Sequence, residues 1–336
     1  MDNRVTMSDV ARQAGVSLMT VSRVVNNKGD VSSETRQRVL EIIASLDYRP
    51  SAIARSLATR ETCTIGLVVP DVTNPFFADI TRGVEHLAYS RGYQVFLCNS
   101  EEDPQRELAV IQSLEEKRVD GLILCSSRLD EEKLGDVLAN LPAVVLINRR
   151  LHKGAEDVFD SVILDDERGG WLATHHLIQS GHQRIGFLAG PLASFSGAGR
   201  RDGYLAALQE ADLSSEEDWI SNCQPSVEGG YQTTRDMLTR HPQLTGLFCF
   251  NDLVAVGALH ACDELGRRIP ADLAIVGHDD IPLAALVSPA LTTCRVPRYE
   301  LGATAVNALF ERFQDGSDGC QQGVLEAELI IRESAP

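Results

Sequence analysis

Five short segments carry hydrogen-bonding side chains just past the ends of apolar runs. They are Pro70 to Phe77, Asn148-Arg149, Gly190 to Arg200, Asn251-Asp252 and Gly277 to Asp280. Amides, carboxylates, an arginine and the two rings of Phe76 and Phe77 suit the grip of a small polar molecule rather than bond cleavage. A second set, Leu18, Met19, Thr20, Ser22 and Arg23, falls on the polar side of a short helical pattern, where an arginine could pair with a guanine edge. Catalytic strings are missing. Adjacent His175 and His176 cannot meet one metal from one helix face, and no HExxH or GxSxG appears. Ser196 to Gly203 invites comparison with a phosphate-cradling glycine loop between strand and helix, but its spacing fits neither GxGxxG nor GxxxxGK[ST]. No enzyme, cofactor or metal site is therefore expected.

These groups need elements to hold them. Thr6 reads as the cap of a first helix that runs through Val10, Ala11 and Ala14 and stops at Gly15. Ser17 caps a second helix with Val21, Val24 and Val25 inward, and Ser32 or Ser33 caps a third, Ser33 to Leu46, with Val39, Leu40, Ile43 and Leu46 as its apolar stripe. Two short helices joined through a glycine turn make a helix-turn-helix, whose bland alternative is a three-helix module that only packs on the rest of the chain. From residue 61 short apolar runs alternate with helical stretches: Thr64 to Val69, Phe76 to Tyr89, Tyr93 to Cys98, Pro104 to Glu116, Gly121 to Cys125, Glu131 to Ala139 and Val144 to Ile147. A second series follows from Ile185 to Val276, with a helix placed at Gly203 to Glu210. The fold class is α/β, a three-helix head followed by a body of two parallel-sheet subdomains.

The 336 residues carry a net charge of −17, which at first opposes a nucleic-acid partner. Residues 1–60, however, hold nine Lys and Arg against six Asp and Glu, so the acidity lies wholly in the body. No signal-like leader and no run of 18 apolar residues is seen, so a cytoplasmic protein without membrane contact is expected. The eight scattered cysteines form no CxxC pair and read as reduced thiols, mostly buried.

The string Val10-Ala11, Ala14-Gly15-Val16-Ser17 and Thr20-Val21-Ser22-Arg23-Val24-Val25-Asn26 resembles the start of a lactose-repressor (LacI/GalR) family member. Tyr48 to Ala58 resembles that family's hinge helix, with Leu57 in the place of a leucine that wedges into the minor groove, although a plain linker helix would read similarly. Arg118 to Gly121, Gly181-His182, Ile185 to Pro191, Asn251-Asp252, Pro270, Val276-Gly277 and Pro289 to Thr293 extend the resemblance over nearly the whole chain. It implies a helix-turn-helix at 1–49, a hinge at 50–60, and an effector-binding and dimerisation body at 61–336 that resembles periplasmic sugar-binding proteins. The implied DNA-binding residues are Ser17, Leu18, Met19, Thr20, Ser22, Arg23, Asn26, Leu57 and Ala58. The implied effector residues are Asp71, Asn74, Phe76, Phe77, Asn148, Ser196, Arg200, Asn251 and Asp279, against the bland reading of each as ordinary capping or turn chemistry.

Three departures favour a sugar-like effector over a purine. Asn148 stands where many members carry an effector-binding Asp, Pro225 where others place an aromatic, and Ser194 where a purine-responsive member has a second pocket arginine. The expected function is a sequence-specific repressor that binds a pseudo-palindromic operator as a homodimer under small-molecule control. The chain shows no leucine heptads after its core, so a dimer is expected rather than a tetramer. A transport-type solute receptor is the competing class, and the basic head argues against it.

Overall fold

The computed structural model describes residues 5–26, 29–48, 61–153, 156–157, 159–315 and 322–336. It divides into two compact units, Met1–Thr62 and Cys63–Pro336.

In the head, helices α1 (Met7–Ala14), α2 (Leu18–Val25) and α3 (Ser33–Ser45) close on Val10, Ala11, Ala14, Val21, Val24, Val39 and Tyr48. Local chemistry sets their ends. Thr6 and Asp9 form a reciprocal capping box, Gly15 ends α1 in the left-handed conformation, and Ser17 and Ser32 accept from Thr20 N and Thr35 N. One expectation is corrected: Leu40 faces solvent, while Ile42 and Tyr48 complete the core that a regular stripe had given to Leu40.

The body holds two six-stranded sheets. The first uses β1 (Thr64–Val69), β2 (Gln94–Asn99), β3 (Gly121–Cys125), β4 (Val144–Ile147), β7 (Asp160–Leu164) and β13 (Gln322–Leu325), all parallel in the order β13-β7-β4-β3-β1-β2. The second uses β8 (Ile185–Ala189), β9 (Ile220–Asn222), β10 (Gly246–Cys249), β11 (Ala274–Asp279), β12 (Thr292–Arg295) and β14 (Glu328–Ile330), ordered β14-β12-β11-β10-β8-β9 with only β14 antiparallel. Short strands β5 (His152–Lys153) and β6 (Glu156–Asp157) pair apart from both sheets.

Alternation along each strand builds a core on both faces. Ile65, Leu67 and Val69 join Ile123, Val145 and Ile147 on one side of the first sheet, while Val68 joins Leu122, Leu124, Val144 and Leu146 on the other. Helices thus cover the central strands β3, β4, β8 and β10 on both faces, which is why these read as apolar runs, whereas β2 at the sheet edge leaves Phe96 and Leu97 exposed. Along the first sheet run α4 (Pro75–Ser90), α5 (Pro104–Glu116), α6 (Glu131–Leu138) and α11 (Arg298–Asp315); along the second run α7 (Asp166–Gln179), α8 (Phe195–Glu210), α9 (Val227–Arg240) and α10 (Asp252–Glu264). The chain passes between the sheets near residues 165, 296–297 and 326–327.

Helix α8 corrects a second expectation, because it begins at Phe195 and takes in the whole glycine-rich stretch that resembled a phosphate loop. A Cβ on Gly203 would lie 1.9 Å from Glu167 O, and one on Gly170 would lie 2.2 Å from Arg200 O. The glycines let the backbones of α7 and α8 touch, and that packing offsets their poor helix propensity. Strand β11 also runs on to Asp279, three residues beyond its expected end at Val276.

Candidate functional site

On the head, Ser17 is the cap of α2, its hydroxyl 3.1 Å from Thr20 N and 2.9 Å from Thr20 Oγ1. Leu18 and Met19, on the first turn, are 52% and 65% exposed, Arg23 is exposed one turn later, and Thr20 and Ser22 are half-buried. Asn26 ends the helix and donates through Nδ2 to Ser22 Oγ at 3.3 Å. Two apolar side chains held in water beside an arginine form an outward face that folding of the head does not use. Leu57 and Ala58, with the rest of the expected hinge, lie outside the described residues.

In the body, parallel strands of both sheets end toward one cleft. Eight of the nine expected effector residues line it: Asn74, Phe76, Phe77, Asn148, Ser196, Arg200, Asn251 and Asp279. Asp71 does not. Its Oδ1 accepts from Thr73 N at 2.8 Å and Thr73 Oγ1 at 2.7 Å, so the turn after β1 uses the carboxylate itself. Sequence reasoning missed Glu102, Ser126, Arg128 and Phe250, which also line the cleft. The first three follow β2 and β3, and the rule that ligands sit beyond the carboxyl ends of parallel strands points to them.

Each arginine of the cleft is met by a carboxylate. Arg200, 3% exposed, donates from Nε to Asp166 Oδ1 at 2.8 Å and from Nη1 to Phe250 O at 2.5 Å, with Nη2 3.8 Å from Asp279 Oδ1. Arg128 donates from Nε and Nη2 to both oxygens of Glu102, at 2.5 and 3.2 Å, and from Nη1 to Ser126 O at 2.9 Å. Behind it Glu107 accepts from Arg128 N at 2.9 Å and from Ser127 Oγ; burial raises its pKa, and those hydrogen bonds oppose the shift.

The asparagines each spend an oxygen on the fold. Asn74 accepts from Phe76 N, Asn251 from Val254 N and Asn148 from Leu164 N, at 3.0, 2.9 and 3.1 Å, so each offers its NH2 outward. Ser194 is likewise spent as the cap of α8, accepting from Gly197 N at 3.0 Å. Ser196 differs: its hydroxyl is buried with no protein partner among the described residues.

Beneath Asp279 lie two further titratable groups. His278, fully buried, meets Asp279 Oδ1 through Nδ1 at 3.2 Å, and burial together with Arg200 lowers its pKa. Asp252 accepts from Ile281 N and Thr293 Oγ1 at 2.8 and 2.6 Å; burial, reinforced by Asp279, pushes its carboxyl upward. Each of the seven described cysteines is a free thiol. No described helix is long and apolar enough to cross a membrane.

Comparison with known proteins agrees with this geometry. Residues 6–51 match the profile described as bacterial regulatory proteins, lacI family, and residues 62–331 match periplasmic binding proteins and sugar binding domain of LacI family. An HTH-type transcriptional repressor PurR of Aliivibrio salmonicida (strain LFI1238) is 39% identical over 332 residues, 98% of each chain. The lac repressor dimer bound to operator and the anti-inducer ONPF superposes with a TM-score of 0.87 at 30% identity, covering 99% of each chain. A CelR–cellobiose complex superposes at 0.75 with 32% identity, over 98% of this chain and 100% of that one. A capped helix-turn-helix ahead of a two-sheet body with a polar cleft, matched end to end by such relatives, places this chain in the LacI family of DNA-binding transcriptional regulators, with a small-molecule site in the body.

Proposed function

We propose that the chain is a cytoplasmic, homodimeric repressor that reads a pseudo-palindromic operator and whose cleft takes an uncharged, sugar-like effector. The head at 1–49 would dock α2 in the major groove through Ser17, Leu18, Met19, Thr20, Ser22, Arg23 and Asn26. The hinge at 50–60 would add Leu57 and Ala58 in the minor groove, and the body at 61–336 would dimerise and bind effector. The observation that carries the effector class is the matching of both cleft arginines by carboxylates beside the unpaired Ser196 hydroxyl. A phosphate or carboxylate would have to displace Glu102 or Asp166, whereas hydroxyls can donate to Asp279 and accept from Arg200, Ser196 and the asparagine amides.

A purine is the second reading, because the PurR relatives are 39% identical. Pro225 puts no aromatic ring at its own position, leaving Phe76, Phe77 and Phe250 as the cleft's only aromatic rings among the described residues, and Ser194 has already committed its oxygen to α8. The lac repressor relative is a dimer on its operator, which supports the same assembly for this chain. Footprinting of the full chain on its own promoter, with D-ribose, cellobiose or hypoxanthine added singly, tests the reading. A protected palindrome whose occupancy responds to a sugar is expected. The absence of any protected palindrome would sink the repressor role, and a response to hypoxanthine alone would overturn the sugar-like effector.

A further inference from the structure

Asp279 and Asp280 are consecutive non-glycine residues with φ of +112° and +51°. Such backbone costs on the order of 1–3 kcal/mol per residue and persists only where its surroundings over-determine it. The surroundings are explicit. Asp280 is held by Arg295 Nε and Arg332 Nη2, each at 2.7 Å, and the Asp279 carboxylate meets His278 Nδ1. The two carbonyls of this pair are taken by one side chain: Arg298 Nη1 donates to Asp279 O and, at 3.0 Å, to Asp280 O.

The same guanidinium reaches the other subdomain. Arg298 Nε donates to Asp79 Oδ2 at 3.0 Å, on the helix α4 that begins with the cleft residues Phe76 and Phe77. Arg298 is the first residue of α11, where the chain has just crossed from the second sheet to the first, and its side chain is 13% exposed. A planar fork with fixed donors holds two carbonyls and a carboxylate in one preset geometry, which an ammonium on a flexible stem does only in part.

We propose that Arg298 is a positioning residue that clasps the two subdomains behind the cleft and holds Asp279 in the conformation that turns its carboxylate toward Arg200. Occupancy of the cleft at Asp279 then reaches α4 through this clasp. That last link rests on the effector reading above; the clasp does not, and its test needs no ligand.

Hydrogen exchange of the full chain without any small molecule, followed by mass spectrometry, reads the clasp directly. Arg298→Gln is expected to speed exchange about tenfold in segments 277–283 and 75–84, because bonds to a charged donor are lost in both, while β8, β10 and the head stay unchanged. Arg298→Lys recovers part of the protection. Asp79→Asn keeps Arg298 and its carbonyl bonds, so it loosens 75–84 alone and supplies a folded comparison if Arg298→Gln misfolds. Unchanged exchange in 75–84 for Asp79→Asn, or uniform acceleration across the body in Arg298→Gln, overturns the proposal.

Discussion

Arg200→Leu isolates the charge balance of the cleft. The substitution removes the 2.8 Å bond to Asp166, the 2.5 Å bond to Phe250 O, and the guanidinium that lies 4.8 Å from the Phe250 ring centroid. Leucine fills much of the volume, so the main loss is electrostatic. Asp166 is 5% exposed and its Oδ2 already has no protein partner among the described residues, so its carboxylate is left buried with neither. Breaking one side of a buried pair costs about 3–5 kcal/mol, several times the worth of a surface pair. At about 2 °C per kcal/mol for a domain of this size, the body should melt about 6–10 °C lower. Asp166→Asn on the Arg200→Leu background removes the stranded charge and should restore more than half of that loss. Paired calorimetric scans of the full chain and both variants, with urea midpoints as a second probe, give the coupling energy. A loss below about 1 kcal/mol for Arg200→Leu, or no recovery with Asp166→Asn, would refute the claim that this pair fixes the cleft's charge balance.

Gly203→Ala should destabilise the body by about 1–2 kcal/mol in urea unfolding, because the 1.9 Å approach to Glu167 O forces α7 and α8 apart by more than alanine's helix preference returns; an unchanged midpoint would show that the contact relaxes freely. His278 makes stability depend on pH. Burial lowers its pKa in the fold, while the unfolded imidazole takes a proton near pH 6.5; below that pH the unfolded chain therefore binds more protons, and stability falls as pH falls, by up to about 1.4 kcal/mol per pH unit. The contribution is complete above pH 6.5, and His278→Asn should flatten the slope between pH 6.5 and 5; superimposable slopes for the two chains would count against a neutral buried His278.

Local signals were legible in the sequence wherever a side chain bonds to its own backbone neighbourhood. Thr6, Ser17 and Ser32 cap α1, α2 and α3 as their sequence positions predict, and Gly15 takes the left-handed end of α1, because each depends on residues within four positions. Legibility failed where a distant partner decides. The glycines of α8 favour a loop in isolation, and only the approach of α7 makes them helical. Arg128 and Glu102 lie 26 residues apart and meet because β2 and β3 flank β1, a pairing that periodicity does not contain. The turned backbone of Asp279 likewise depends on Arg298, 19 residues on, and no aspartate-specific pattern announces it.

Capping chemistry and ligand chemistry looked like rival accounts of the cleft asparagines, but one produces the other. An asparagine whose oxygen is fixed by a backbone N–H has its NH2 fixed as well, since the amide is planar. In Asn251 that fixing comes from Val254 N, in Asn74 from Phe76 N, and in Asn148 from Leu164 N, so three donors are set during folding. A ligand hydroxyl then meets them without the side-chain ordering that costs about 0.5–1.5 kcal/mol for each long side chain immobilised on binding. The arginines follow the same logic, Arg200 being held by Asp166 and the Phe250 carbonyl before anything enters. The rigid walls belong to two different sheets, so the remaining freedom in the site lies in the angle between subdomains. That angle is where effector binding energy can be spent on a change of state, because the side chains themselves have little left to rearrange.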